Sequence, residues 1–184
     1  MRQQTGFSLI EVLITLLLTT IGILGVVAMQ GRSISFTQDS IQRNTAIILS
    51  DSLVEIMRSN PNEIFSNTVP RTPLSTKYKN ASLFYKPLGG DFGPATGNCV
   101  ALPKTAQEQR DCWVKAARDR LPGATALFNN SFYVCRSSAR GVCDNQGSIL
   151  EIQLAWTVKA GACPDVENRT PNDTTCIYRT RVEL

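Results

Sequence analysis

The chain has 184 residues, six cysteines and no histidine, with 19 basic against 15 acidic side chains. The absence of histidine excludes Ser-His-Asp and Cys-His catalysis, and a net charge of +4 is too mild to argue for a nucleic-acid partner. No phosphate-cradling G-x-x-x-x-G-K or G-x-G-x-x-G spacing occurs either.

The N-terminus is the most specific part of the chain. Met1-Arg2-Gln3-Gln4-Thr5-Gly6 is a short polar leader, and Phe7–Met29 is an apolar run with Glu11 as its only charge. At ~1.5 Å per residue that run spans roughly 35 Å as a helix, enough to cross a hydrocarbon core of about 30 Å. Its fourteen Phe, Leu, Ile and Val residues supply about 7 kcal/mol for insertion, against roughly 3 kcal/mol for one central carboxylate. Insertion therefore survives Glu11, and a carboxylate kept in such a run points to a partner inside the membrane. A conventional secretory cut after Val26-Val27-Ala28, or a plain single-span anchor, accounts for the apolar run but not for Gly6 and Glu11 together.

Gly6 before Phe7-Ser8-Leu9-Ile10-Glu11 resembles the class III leader of type IV prepilins and type II secretion pseudopilins. The resemblance implies cleavage after Gly6, N-methylation of Phe7, and pairing of Glu11 with the N-terminal amine of a neighbouring subunit.

From Phe7 to Asn60 nothing forces a break, and Asn60-Pro61-Asn62 is a strong stop. One helix of about 80 Å is expected. In its second half Ile34, Ile41, Ile48, Leu49, Leu53, Ile56 and Met57 recur at helical spacing, a stripe expected to cover a sheet. All nine prolines lie at or beyond Pro61 and all six cysteines at or beyond Cys99. Four segments follow: a cleaved leader at 1–6, a transmembrane and polymerisation half-helix at 7–29, an amphipathic half-helix at 30–60, and one globular αβ head at 61–184.

Within the head, Pro61–Lys79 reads as a connecting segment and Leu88–Asn98 as a surface loop. Pro70-Arg71-Thr72-Pro73, a match to proline-rich ligands, reads as loop. Thr105 and Glu108 form a capping box for a helix that buries Trp113, Ala117 and Leu121 and ends at Pro122-Gly123. Lys104, Arg110, Lys115, Arg118 and Arg120 alternate with acids and read as its solvated face, and Asp91, Glu108, Asp111 and Asp119 as solvated groups and caps. Beyond Gly123 the period changes to two. Strands are expected at Ala124–Phe128 and Ser131–Arg136, joined by a tight hairpin at Asn129-Asn130, then at Ser148–Val158 and Cys176–Leu184. The expected class is α+β: a long N-terminal helix on a four-stranded antiparallel sheet with one face buried, plus one further short helix. Asp144-Asn145-Gln146-Gly147 lacks the spaced ligands of a calcium loop and reads as a turn.

Six cysteines in an exported domain read as disulfides, since the closest spacing, Cys135 to Cys143, is too wide for a paired zinc ligand set. Fifteen pairings are possible; Cys99–Cys112, Cys135–Cys143 and Cys163–Cys176 require only local loops. No metal, cofactor or catalytic residue is expected.

This arrangement resembles the pilin fold, and Cys112-Trp113 on a helix ending Leu121-Pro122-Gly123, followed by a Trp156-containing strand, is similar to the PilV-like minor pilins. The resemblance implies a disulfide-bounded C-terminal region at Cys163–Cys176. It also implies a non-enzymatic minor pilin of a Gram-negative bacterium that primes assembly of a type IV pilus used for twitching motility and adhesion. Its expected partners are prepilin peptidase, the inner-membrane assembly platform, other minor pilins and the major pilin. The head would stand in the periplasm before joining the extracellular fibre. A type II secretion pseudopilin is the alternative within this class, and a membrane-anchored periplasmic enzyme or receptor the alternative outside it.

Overall fold

The computed structural model describes residues 8–66, 78–93, 97–160, 162–163 and 173–184. Gly6, Phe7 and Pro70–Pro73 lie outside the described residues. The chain divides into two compact units, Met1–Gln38 and Asp39–Leu184.

Helix α1 runs Leu9–Ser59. It stops where expected, because Pro61 cannot continue the hydrogen-bond ladder, and Pro61–Ile64 forms a separate turn, α2, that closes with Phe65 donating to the Pro61 carbonyl at 2.9 Å. The core-facing side of α1 in the second unit is Ala46, Leu49, Leu53, Val54 and Met57, all buried. The sequence stripe is thus only partly the core stripe. Leu49, Leu53 and Met57 pack inward, whereas Ile34, Ile41 and Ile48 are 59, 56 and 59 % exposed. Apolar residues on α1 form two stripes, and periodicity alone merged them.

Helix α3 spans Ala106–Arg120, with both halves of the Thr105–Glu108 capping box formed. Trp113, Ala117 and Leu121 are buried, and the Trp113 indole N–H donates to the Leu49 carbonyl at 2.7 Å, fixing α3 to α1. The charged residues of α3 are not one solvated face. Arg110 is fully buried: it pairs with Asp111 at 2.7 Å, donates to the Leu83 carbonyl at 3.0 Å and stacks over Phe92. Arg118 lies 4.1 Å over the Phe128 ring, while Lys115 and Asp119 pair in solvent. Planar guanidinium groups tolerate such burial because they stack and donate together.

Ala124–Ser131 is a helix, α4, where a strand and hairpin were expected. Ala124 and Phe128, one turn apart, are both buried, and Asn129-Asn130 lies within the helix. Short apolar runs do not distinguish strand from helix, and two alanines and a leucine favour the helix once Gly123 starts it. Gly123 has φ +68, and an added Cβ would strike the Thr157 side chain, so the position requires glycine twice over.

The sheet has three strands among the described residues, β1 (Tyr133–Ser137), β2 (Ile149–Thr157) and β3 (Thr175–Val182), antiparallel in the order β1-β2-β3. Tyr133 opposes Gln153 in the first pair and Trp156 opposes Cys176 in the second. Beside β1 stands a single bridge, Lys86 to Val134, with N–H···O bonds of 2.8 and 2.9 Å. Pro87, which has no N–H, follows at once, so no fourth strand develops there.

Both faces of β2 are buried, not one. Leu150, Ile152, Leu154 and Trp156 join the core with α1, α3 and α4. On the opposite face Glu151, Gln153 and Ala155 are buried as well. The short loop closed by Cys135 and Cys143 folds back over that face, and the Gly141 amide donates to Glu151 Oε1 at 2.8 Å.

Candidate functional site

Helix α1 opens at Leu9, with Glu11 in its first turn. The amides of Glu11 and Val12 donate to the Ser8 carbonyl at 3.0 and 3.3 Å. Glu11 therefore sits at the positive end of the helix dipole, where an anion is favoured. Leu9–Gly31 is long and apolar enough to cross a membrane, with a mean hydropathy of 2.5, and none of it is buried against the protein. Its polar side chains are mostly satisfied locally. Thr15, Thr19 and Thr20 each donate to the carbonyl three residues earlier, at 2.9, 2.9 and 2.8 Å. Glu11 is the only ionisable group of the segment. Of the residues singled out in the leader motif, Ser8 and Glu11 are described, and Gly6 and Phe7 lie outside.

The cysteines of the head pair locally: Cys99 with Cys112, Cys135 with Cys143 and Cys163 with Cys176, at Cα separations of 4.3, 5.7 and 5.8 Å. The first closes the chain before α3 onto that helix. The second holds the loop over the outer face of the sheet. The third ties the segment before β3 to the strand.

That outer face is organised around Glu151. Its Oε1 accepts from the Tyr133 hydroxyl and the Gly141 amide, and its Oε2 faces Arg181 Nε at 3.5 Å and lies 3.2 Å from the Ser137 hydroxyl, which donates to the nearer Ala139 carbonyl at 2.5 Å. Burial, then the Glu151 carboxylate, pushes the Tyr133 phenol above its usual range, which keeps it a donor. The expectation of one buried sheet face leaves Glu151, which alternates with Leu150 and Ile152, on the solvent side; it is buried because the loop closed by Cys135 and Cys143 brings the Gly141 amide to it.

Lys86, also buried, donates to the Phe132 carbonyl at 2.8 Å and to the Asn129 and Pro87 carbonyls at 3.3 Å, and lies over the Phe128 ring. Two of these carbonyls, of Asn129 and Phe132, lie at the C-terminal end of α4, where helix carbonyls lack an intrahelical partner. Burial lowers its ammonium to about 8, partly offset by Asp91.

Asp91, Glu108, Asp111 and Asp119 all have structural contacts. Glu108 caps α3, and the Thr105 and Lys104 amides hold it below the usual carboxylate range. Asp111 pairs with Arg110 and accepts the Gly97 amide at 2.9 Å, Asp119 pairs with Lys115, and Asp91 accepts the Phe92 amide at 2.8 Å. An apolar groove of about 370 Å³ lies between α1 and α3, lined by Ile48, Leu49, Ile56, Cys112, Trp113 and Ala116. Sequence reading missed it, since a groove between two helices follows only from their packing.

Residues 1–27 match the model of the prokaryotic N-terminal methylation motif. No curated protein and no solved structure matches the chain at a significant level. The α+β head, with its three-stranded antiparallel sheet and three disulfides, therefore stands on its own geometry. What sequence and structure establish together is the prokaryotic N-terminal methylation motif at residues 1–27, running into a membrane-length apolar helix with one carboxylate in its first turn, a combination consistent with a type IV pilin-like prepilin leader.

Proposed function

We propose that the chain is a minor pilin of a bacterial type IV pilus, which helps prime assembly and enters the fibre at low abundance. The observation that carries this reading is the methylation motif at residues 1–27 leading into an apolar helix whose sole charge is Glu11. A helix with an unburied apolar half and an exported head either stays anchored in a bilayer or packs that half against other subunits. Pilins and pseudopilins do both in turn. In this reading prepilin peptidase cuts after Gly6 and methylates the Phe7 amine, and the assembly platform brings the chain to its fellow minor pilins and the major pilin. Glu11 then meets a neighbour's N-terminal amine inside the apolar bundle. Such a pair fixes register rather than adding much stability, because desolvation offsets most of the attraction. The three disulfides suit a head exposed outside the cytoplasm.

Two variants test the reading. Gly6→Val should leave an uncut precursor in the membrane, read by intact mass. Glu11→Ala should insert and be processed normally yet fail to recover partner subunits, because a neighbour's amine is left unpaired at a cost of roughly 3–5 kcal/mol. Wild-type protein that begins at Gln30 or later, or a Glu11→Ala variant that supports piliation fully, would overturn it. Loss of secretion with intact pili on deletion would move the chain to the type II secretion pseudopilins, which share the leader.

A further inference from the structure

Asp39 is the first residue of the second unit and is only 8 % exposed. Its Oδ1 lies 3.5 Å from Cys176 Sγ on β3, 137 residues away in the chain. Together with Cys163 Sγ these ligand atoms form a group whose members all lie within 4.8 Å of one another. Among the described residues no other cysteine pair has a carboxylate so placed.

With the pair oxidised, that approach is a contact and not a hydrogen bond. A disulfide sulfur carries no hydrogen, so Cys176 cannot donate to the Asp39 oxygen in that state. The reduced pair is different. Two thiolates and a carboxylate are a donor set that zinc accepts, with Zn–S near ~2.3 Å and Zn–O near ~2.0–2.2 Å. Tetrahedral angles with those bonds put sulfur and oxygen about 3.5 Å apart, and the observed separation is 3.5 Å. The Cα separation of 5.8 Å also leaves room for two sulfurs to part around an ion instead of bonding to each other. Sequence spacing argued against zinc because it considered local cysteine pairs. The third ligand here comes from α1 and is visible only in the fold.

We propose that, when reduced, Cys163, Cys176 and Asp39 form a three-ligand site for a zinc-class divalent cation, with water in the fourth position, and that closing the disulfide empties it. Opening the disulfide takes two electrons and two protons from an external dithiol, which leaves as its own disulfide. Metal binding then releases the two thiol protons. In the reverse direction an external disulfide accepts two electrons from the metal-bound thiolates, the Cys163–Cys176 bond forms, and the ion departs. The disulfide thus joins Cys163 to β3 alone, whereas the ion would join both to α1 through Asp39. The site stands independently of the filament reading, since none of its residues belongs to the leader or the apolar segment.

The test uses the full-length chain in detergent micelles, reduced with a phosphine, and cobalt(II) alone as the probe. The reduced wild type should show the visible absorption of tetrahedral cobalt with thiolate-to-metal charge transfer, displaced by added zinc. Asp39→Asn keeps the side-chain shape and all six thiols, and should weaken cobalt binding more than roughly tenfold, the scale at which even outer-shell changes act. Cys163→Ser should reduce the charge-transfer intensity, and the fully oxidised chain should show none. Circular dichroism of each variant confirms that the fold is kept. Equal cobalt affinity and spectrum in wild type and Asp39→Asn would overturn the proposal, because the remaining thiols would then account for all binding. So would a purely six-coordinate, oxygen-ligated spectrum in the reduced wild type.

Discussion

Replacing Glu151 by alanine tests whether the outer face of the sheet is held by one buried carboxylate. Glu151 is fully buried and is met by three donors: the Tyr133 hydroxyl, the Gly141 amide and Arg181. Arg181 is about one-third exposed and turns to water at little cost. Tyr133 and Gly141 cannot. Hydrogen bonds to a charged acceptor contribute about 1.5–3 kcal/mol each, and two of them lost from a dry site give an expected destabilisation of about 3–6 kcal/mol. Urea unfolding of the full-length chain in micelles, followed by fluorescence of Trp113 and Trp156, reads it directly, since these are the only two tryptophans and both are buried. Arg181→Met is the companion variant, expected within about 1 kcal/mol of wild type. A Glu151→Ala midpoint equivalent to less than 1 kcal/mol, with an unchanged slope, would refute the argument. Equal losses in the two variants would mean that the ion pair, not the hydrogen-bond set, does the holding.

Two further outcomes are expected. Lys86 titrates near 8 when folded and near 10.5 when unfolded, so between these values the unfolded chain binds more protons and stability should rise with pH, by at most about 3 kcal/mol. The raised phenols of Tyr85 and Tyr133 reverse the trend above about pH 10; Lys86→Met should flatten the rise between pH 8 and 10, and an unchanged slope in that variant counts against the assignment. Gly123→Ala combines a left-handed backbone with a collision at Thr157 and should cost more than about 2 kcal/mol, whereas Gly89→Ala, also left-handed but in open space, should cost about 1 kcal/mol. Equal thermal midpoints for the two glycine variants would show that the Thr157 contact is irrelevant.

Local signals were legible in the sequence where they act over a few residues. The Thr105–Glu108 box, the stop at Pro61 and the ranges of the last two strands each depend on neighbouring side chains, and each appears in the structure within a residue or two. The apolar segment was legible for the same reason, since length and composition alone define it. What could not be read depends on distant parts of the chain. Ala124–Phe128 is too short a run for its period to tell strand from helix, and its burial of Ala124 and Phe128 one turn apart shows only once the core is assembled. Arg110 and Asp111 look like surface charges until the Leu83 carbonyl and the Phe92 ring are brought to them. The exposed Ile41 and Ile48 belong to the same periodic pattern as the buried Leu49 and Leu53, and only the assembled core separates the two stripes.

The threonines of the apolar segment carry a consequence for how such a helix could change surroundings. Thr15, Thr19 and Thr20 bond to their own helix, so none of them needs a lipid headgroup, a water or a neighbouring protein to accept its proton. Moving the segment from acyl chains to a bundle of other apolar helices therefore exchanges one hydrocarbon-like solvent for another, with no polar group gained or lost along Val12–Met29. The exchange is close to thermoneutral everywhere except at Glu11. A single carboxylate then acts as the discriminator between the two environments, and the direction of transfer is set by which of them offers it a cation.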